Sequence, residues 1–223
     1  MARLARWVAP GQAHYVIQRG HSGRAVFTDD ADRRHCLDAL REAAAAQRVA
    51  VHAYALCASA VHLLLTPPDS GALSRTMQAL GRRYVSTYNR RHGGSGTLWD
   101  GRFRCAVVEP GAWRLAAMVL IDGLIDGLDN ATSAAHRASG ARANWLLDPP
   151  EFWQLGNTPF EREAAYRTLL VQGVPQAQAT LLLDGALGGW AVGSAEFVAG
   201  LAAETARPLR PRARGRPARQ TRS

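Results

Sequence analysis

The stretch AYALCASAVHLLLTP, Ala53 to Pro67, decides the fold. It contains most of two apolar runs, VAVHAYALCA from Val49 and AVHLLLTPP from Ala60, rich in the aromatic and β-branched residues that suit strands. The link between them is too short for a crossover, and Pro67 and Pro68 end the second run, so the two predict antiparallel neighbouring strands. Side chains alternate between the faces of a strand. The second run carries a single histidine, His62, with Ala60 two positions before it on the same face.

Working outward, AHYVIQRG, Ala13 to Gly20, reads as a strand and turn. DDADRRHCLDALREAAAAQRV then offers Asp29 and Asp30 as caps and places Cys36, Leu37, Leu40 and Ala44 on one helical face. After the hairpin, the run from Gly71 spaces Leu73, Met77, Leu80, Tyr84 and Tyr88 at three and four, leaving an arginine-rich outer face. A glycine-rich loop, GGSGTLWDGRF, leads to the strand RCAVVEP and to the apolar helix GAWRLAAMVLIDGLIDGL. The pattern predicts an α+β fold, a mostly antiparallel sheet with helices packed on it. Residues 131–157 read as linker and loop. Thr158, Pro159 and Glu161 form a capping-box signature that opens a small C-terminal helical unit over 158–206. The last residues, 207–223, carry seven arginines and no acid, a composition expected to be disordered alone.

Composition sets the class of partner. The formal charge is +9, and every one of the 27 basic side chains is arginine. A polyanion fits that balance, and arginine's planar fork suits phosphate and guanine edges, although an alanine- and arginine-rich composition also follows from a GC-rich coding bias. Cys36, Cys57 and Cys105 are too scattered for a disulfide framework or a zinc site. With no signal-like start and no run of about 18 apolar residues, a cytoplasmic, nucleoid-associated protein without membrane contact is expected.

In order, HYVIQRG, VHAYALCASAVHLLLTP, LGRRYVSTYNRRHG, GTLWDGRFR and the apolar helix after Glu109 resemble the REP-associated tyrosine transposases, members of the HUH single-strand DNA transposases. The resemblance spans residues 1–145 or so, and implies an HUH, ferredoxin-like domain over 1–130. In that family a strand carries a His-hydrophobic-His pair that holds a divalent metal. A tyrosine on a later helix attacks the phosphate, and an Asn or Gln one turn further completes the metal site. Alignment places Ala60 at the first histidine, leaves His62 as a lone remnant, and puts Leu120 at the tyrosine and Leu124 at the third ligand. No shift of register along this helix supplies a nucleophile, because no tyrosine lies between Tyr88 and Tyr166. DNA cleavage and strand transfer are therefore expected to be lost, and no cofactor is expected. Mg²⁺ or Mn²⁺ enters only if His62 works with Asp122, His52 or His21 in a rebuilt site.

What the resemblance leaves is the grip on a DNA hairpin and its flanking single strand, carried by Arg19, Arg82, Arg83, Arg90, Arg91, Arg102 and Arg104 in the matching blocks. Trp99, Tyr88 and Phe103 are candidates to stack on bases, with Trp99 and Phe103 otherwise anchoring the glycine-rich loop and Tyr88 otherwise a core residue. Arg214-Gly215-Arg216-Pro217 matches an AT-hook core, which would add A·T-rich duplex as a partner through Arg214 and Arg216. Homodimerisation is common in the family. Three readings stand: a hairpin-binding protein that no longer cuts, an active metal-dependent transposase or nuclease with a rearranged site, and a decayed copy.

Overall fold

The computed structural model describes residues 6–125 and 131–211. The chain runs β1 (Ala13–Arg19), α1 (Asp30–Ala46), β2 (Ala50–Cys57), β3 (Ala60–Thr66), α2 (Ala72–His92), β4 (Arg104–Val108) and α3 (Ala112–Asp122). The strands form one sheet in the order β2-β3-β1-β4, antiparallel at every pairing. This is the split β-α-β arrangement of ferredoxin-like folds, and the α+β expectation holds.

The opening stretch forms the β2-β3 hairpin, with Cys57 opposite Ala60 across its tip. β3 lies inside the sheet with both faces covered, which is why its run is apolar almost throughout rather than alternating. One face sends Val16, Leu56, Val61, Leu63 and Leu65 against the Leu40, Leu73, Met77, Leu80 and Tyr84 side of α1 and α2. The spacing of three and four in those helices thus meets a sheet. On the other face Tyr15, Ile17, Leu64 and Ala106 meet Ala117, Met118 and Ile121 of α3. Ala53 and Ala55 of β2 lie under that helix, small enough to let it approach the sheet. α1 starts where the caps predicted, the Asp29 carboxylate accepting from the Asp32 amide at 2.9 Å.

α3 stops at Asp122, short of the apolar run that continued the helical pattern, with Gly123 at its C-terminal cap. Beyond it come α4 (Ala134–Ala138), α5 (Pro150–Trp153), α6 (Pro159–Gln172), α7 (Gln176–Gly188) and α8 (Ala195–Ala202). The stretch read as linker and loop therefore holds two short helices and several buried polar residues, among them Ser133, His136, Arg137 and Glu151. Its polarity is internal: those groups bond within the stretch, to the sheet and to α3, where Arg114 holds Glu151, instead of water. α6 opens in the expected capping box, Thr158 Oγ1 accepting from the Glu161 amide at 3.2 Å and the Glu161 carboxylate from the Thr158 amide at 3.1 Å. Leu182 and Ala186 of α7 join the core beside α3, so the C-terminal helices complete the cover of that sheet face. Among the described residues no helix is long and apolar enough to cross a membrane. Arg214 and Arg216, the hook-like pair, lie outside the described residues.

Candidate nucleic-acid site

Strand alternation places Ala60 and His62 on the sheet face that α3 covers, together with Leu64. His62 sits between Ala55 and Ile17 in the strand register. Its Nδ1 is joined to the Tyr15 hydroxyl by a 2.7 Å hydrogen bond. Burial pulls the imidazole down to about 4 and pushes the Tyr15 phenol well above its ordinary range, so at neutral pH both groups are uncharged. The bond fixes the ring and leaves Nε2 as the only nitrogen for another partner.

Around that nitrogen the donor set for a divalent metal is not complete. Ala60 presents a methyl group. Leu120, in the last turn of α3, packs with Cys57 and Leu124 against the apolar cluster on this face. Because α3 has ended, Leu124 lies past the helix, its amide bonded to the Ile121 carbonyl at 3.2 Å, and the four-residue helical spacing expected between positions 120 and 124 is not formed. Burial raises the Cys57 thiol, which keeps it protonated and a poor ligand. Among the described residues no group of three His, Cys, Asp or Glu side chains is placed to hold a metal ion. The residues present do not fit the metal that the family resemblance implies.

The candidates for a rebuilt site lie apart. His52, at the β2 bulge, donates Nδ1–H to the Leu147 carbonyl at 2.8 Å, which leaves Nε2 to accept from the Thr66 hydroxyl at 2.9 Å. His21 is exposed in a turn after β1. Asp122 is 1 % exposed and belongs to a buried polar cluster, accepting from Tyr166 Oη at 2.6 Å and from Ser133 Oγ. Nor does another tyrosine supply a nucleophile: Tyr84 donates to the Val26 carbonyl from the core, and Tyr54 stacks on Trp145.

The arginines divide into two groups. Arg91 pairs with Asp29 at 2.9 Å and with buried Asp32, tying the end of α2 to the start of α1, and Arg83 pairs with Glu42. Both were candidates for DNA contact, and both are engaged within the protein. Arg19, Arg82, Arg90, Arg102 and Arg104 are exposed, and their side chains make no hydrogen bond or ion pair among the described residues. Of the two readings for Trp99 and Phe103, the geometry agrees with loop anchors. They are 8 % and 6 % exposed, Trp99 against Tyr84 and Phe103 under the Arg6 guanidinium at 3.8 Å, so their faces are spent on the core. The pair anchors the loop, as the bridge between Gly20 and Trp99 also shows. Tyr88 is partly buried between Tyr84 and His92.

Sequence reasoning missed Arg6 and Arg207, which meet Arg102 and Arg104 in one crevice. They come from opposite ends of the chain, and no spacing signals the meeting.

A solved structure of a REP-associated tyrosine transposase bound to a REP hairpin matches with a TM-score of 0.50 at 12 % identity, covering 68 % of this chain and 93 % of that one. The two share a fold. A protein from Deinococcus radiodurans R1, itself only provisionally described as a transposase, matches at a TM-score of 0.38 and 22 % identity over 49 % of this chain and 88 % of its own. No protein-family model and no curated protein matches the chain.

Proposed function

We propose that this protein is a DNA-binding relative of the REP-associated tyrosine transposases that holds a hairpin and its flanking single strand without cutting either. One observation carries the reading: on a fold shared with a transposase solved on a REP hairpin, the face that would hold metal and nucleophile presents Ala60, Leu120 and a lone His62, while unpaired arginines stay exposed. Phosphate contact needs only those guanidiniums. Transesterification needs an activated nucleophile and charge stabilisation at the phosphate, and neither a tyrosine nor, among the described residues, a metal-ligand set supports it on this face. A nucleoid-associated location follows from DNA as partner.

The test incubates the protein with labelled hairpin-plus-tail DNA, with and without Mg²⁺ or Mn²⁺. Retarded DNA that stays intact, with no covalent protein adduct, is the expected result. Metal-dependent cleavage would restore the rearranged-nuclease reading, and no preference for the hairpin over random DNA would favour a decayed copy. Ala60→His alone is expected to leave the DNA uncut, because Leu120 still offers no nucleophile; cleavage by that variant would mean the nucleophile lies elsewhere.

Salt dependence separates the arginines. Removing Arg82 and Arg90 together should flatten the slope of log K against log salt by about 0.7 per lost contact on single strands, or about 0.9 on duplex. Arg83→Ala, which breaks an internal pair, should change the slope less. The Arg214-Gly215-Arg216 segment is proposed to add A·T-rich duplex contact. Its double alanine variant should weaken duplex binding with little effect on the hairpin, and an unchanged duplex slope would remove the hook from the reading.

A further inference from the structure

The helix α6 is apolar on two sides. Its inner side sends Tyr166, Leu169 and Leu170 into the apolar cluster that includes α3. Its outer side carries Phe160, Ala164, Thr168 and Val171, spaced at four, four and three, which sets them in one stripe along the helix. Phe160 is 81 % and Val171 89 % exposed, and Ala164 and Thr168 are exposed between them. The Thr168 hydroxyl donates to the Ala164 carbonyl at 3.0 Å, so it is satisfied within the helix and does not make the stripe polar. A helix that is apolar all round belongs inside a structure, and no described element covers this outer stripe.

The stripe is complementary to a reversed copy of itself. Phe160 and Val171 are its large ends, Ala164 and Thr168 its smaller middle, and both pairs are centred within half a residue of one point, between Ala165 and Tyr166. Small residues at the middle let two helices approach to about 8 Å. Along one flank of the stripe stand Glu163 and Arg167, one turn apart and centred on that same point. The Glu163 side chain makes no hydrogen bond or ion pair among the described residues, and Arg167 spends only Nη1, on the Ala138 carbonyl at 2.6 Å. A two-fold axis sets like flanks together. An antiparallel pair of α6 helices therefore places Glu163 opposite Arg167 of the partner subunit, twice over, and Phe160 opposite Val171 of the partner subunit.

We propose that a second copy of this chain covers the stripe, forming a two-fold homodimer through antiparallel α6 helices. The distribution of charge favours a second copy at this place. Two chains that each carry +9 repel one another, and they meet at least cost where that charge is absent. α6 has two acids and two arginines, whereas α2 has five arginines and no acid. One helix face buries less than the standard interface of about 1,600 Å², so the dimer is weak, with dissociation in the micromolar range. None of the arginines assigned to DNA lies on this face, and the inference stands apart from the DNA reading.

Sedimentation equilibrium of the full chain without DNA, over a concentration series through the micromolar range, is expected to show monomer and dimer and nothing larger. Val171→Glu and Phe160→Glu, at positions so exposed that folding is not at stake, should each leave the monomer alone with an unchanged circular dichroism spectrum. Glu163→Arg and Arg167→Glu should each weaken self-association about tenfold, because two exposed pairs turn from attraction to repulsion. Mixed in equal amounts, those two variants should form a heterodimer as tight as the wild-type dimer, since every flank position then faces its opposite charge. A wild type that stays monomeric through the series overturns the proposal and leaves the stripe to a different protein. A dimer that survives Val171→Glu lies elsewhere on the molecule and overturns it equally. A mixture no tighter than either single variant overturns the antiparallel pairing.

Discussion

Arg137→Met is expected to cost the protein about 3–5 kcal/mol of stability, the penalty for removing one partner from a buried ionic cluster. Arg137 is fully buried, and it is enclosed by charge and carbonyl groups drawn from separate elements. Its Nη2 donates to the His52 carbonyl of β2 at 2.5 Å, its Nε lies 2.7 Å from Asp148 Oδ1, and its Nη1 lies 3.6 Å from Asp122 Oδ2 at the end of α3. Burial raises the Asp122 carboxyl, and Arg137, Ser133 and Tyr166 only partly offset it. Burial works on Asp148 too, but there the bond from His136 and the charges of Arg137 and Arg142 win and hold it below the ordinary carboxylate range. Methionine fills the space but leaves Asp148 with less compensation and the His52 carbonyl without its donor. For a chain of this size the loss corresponds to a fall of roughly 6–20 °C in melting temperature. A melt within a degree or two of the wild type would show that Arg137 only fills space.

Acid should unfold the protein well before its carboxylates are exhausted. Burial pulls His14, His52 and His62 to about 4, against 6.5 for an ordinary histidine. His14 shows why the neutral form is kept: Nδ1 donates to the Gln12 carbonyl at 2.8 Å while Nε2 accepts from the Ala9 amide at 3.2 Å, and a second ring proton would break the latter bond. As pH falls below about 6.5 the unfolded chain takes up protons that the folded chain refuses until about 4. Stability therefore rises with pH across that window and is lost as pH drops through it. Each fully buried ring contributes on the order of 3 kcal/mol by pH 4, His62 less because its edge reaches solvent. Two or three such terms rival the whole stability of a typical domain. The urea midpoint is expected to fall steeply between pH 6.5 and 4.5, with the His14, His52 and His62 resonances of the folded state still untitrated at pH 5. A flat midpoint over that window would mean the rings are not buried as described. The carboxylates Asp148 and Glu151, held low by their partners, lose their share only at lower pH.

Much of this architecture was legible in the sequence because it is local. The hairpin at Ala53–Pro67, the Asp29 cap and the Thr158 capping box are each decided by residues a few positions apart, whose periodicity or hydrogen-bonding reach is set before the chain folds. The absence of any tyrosine between positions 88 and 166 was legible too, since it needs no tertiary information. The early end of α3 was harder: the apolar run continues past Asp122, and the helix stops where Gly123 and the buried use of the Asp122 carboxylate outweigh it. The sequence left Trp99 open between stacking on a base and anchoring its loop, and Tyr84, fifteen residues earlier on α2, gives it a core to enter.

By itself the sequence determined the sheet and helix pattern, the arginine-only basic character and the residue types at positions 60, 62, 120 and 124. Tertiary structure alone decided which arginines are engaged, since Arg91 and Arg83 find carboxylates on α1 while Arg102 and Arg104 find none among the described residues. It also decided that His62 is held by Tyr15, that residues 131–149 close over a buried charge cluster, and that Arg6 and Arg207 converge on β4. The physical reason is common to all three. Pairing, desolvation and cavity shape depend on distance in space, and residues brought together from remote parts of a chain leave no periodic trace in its order.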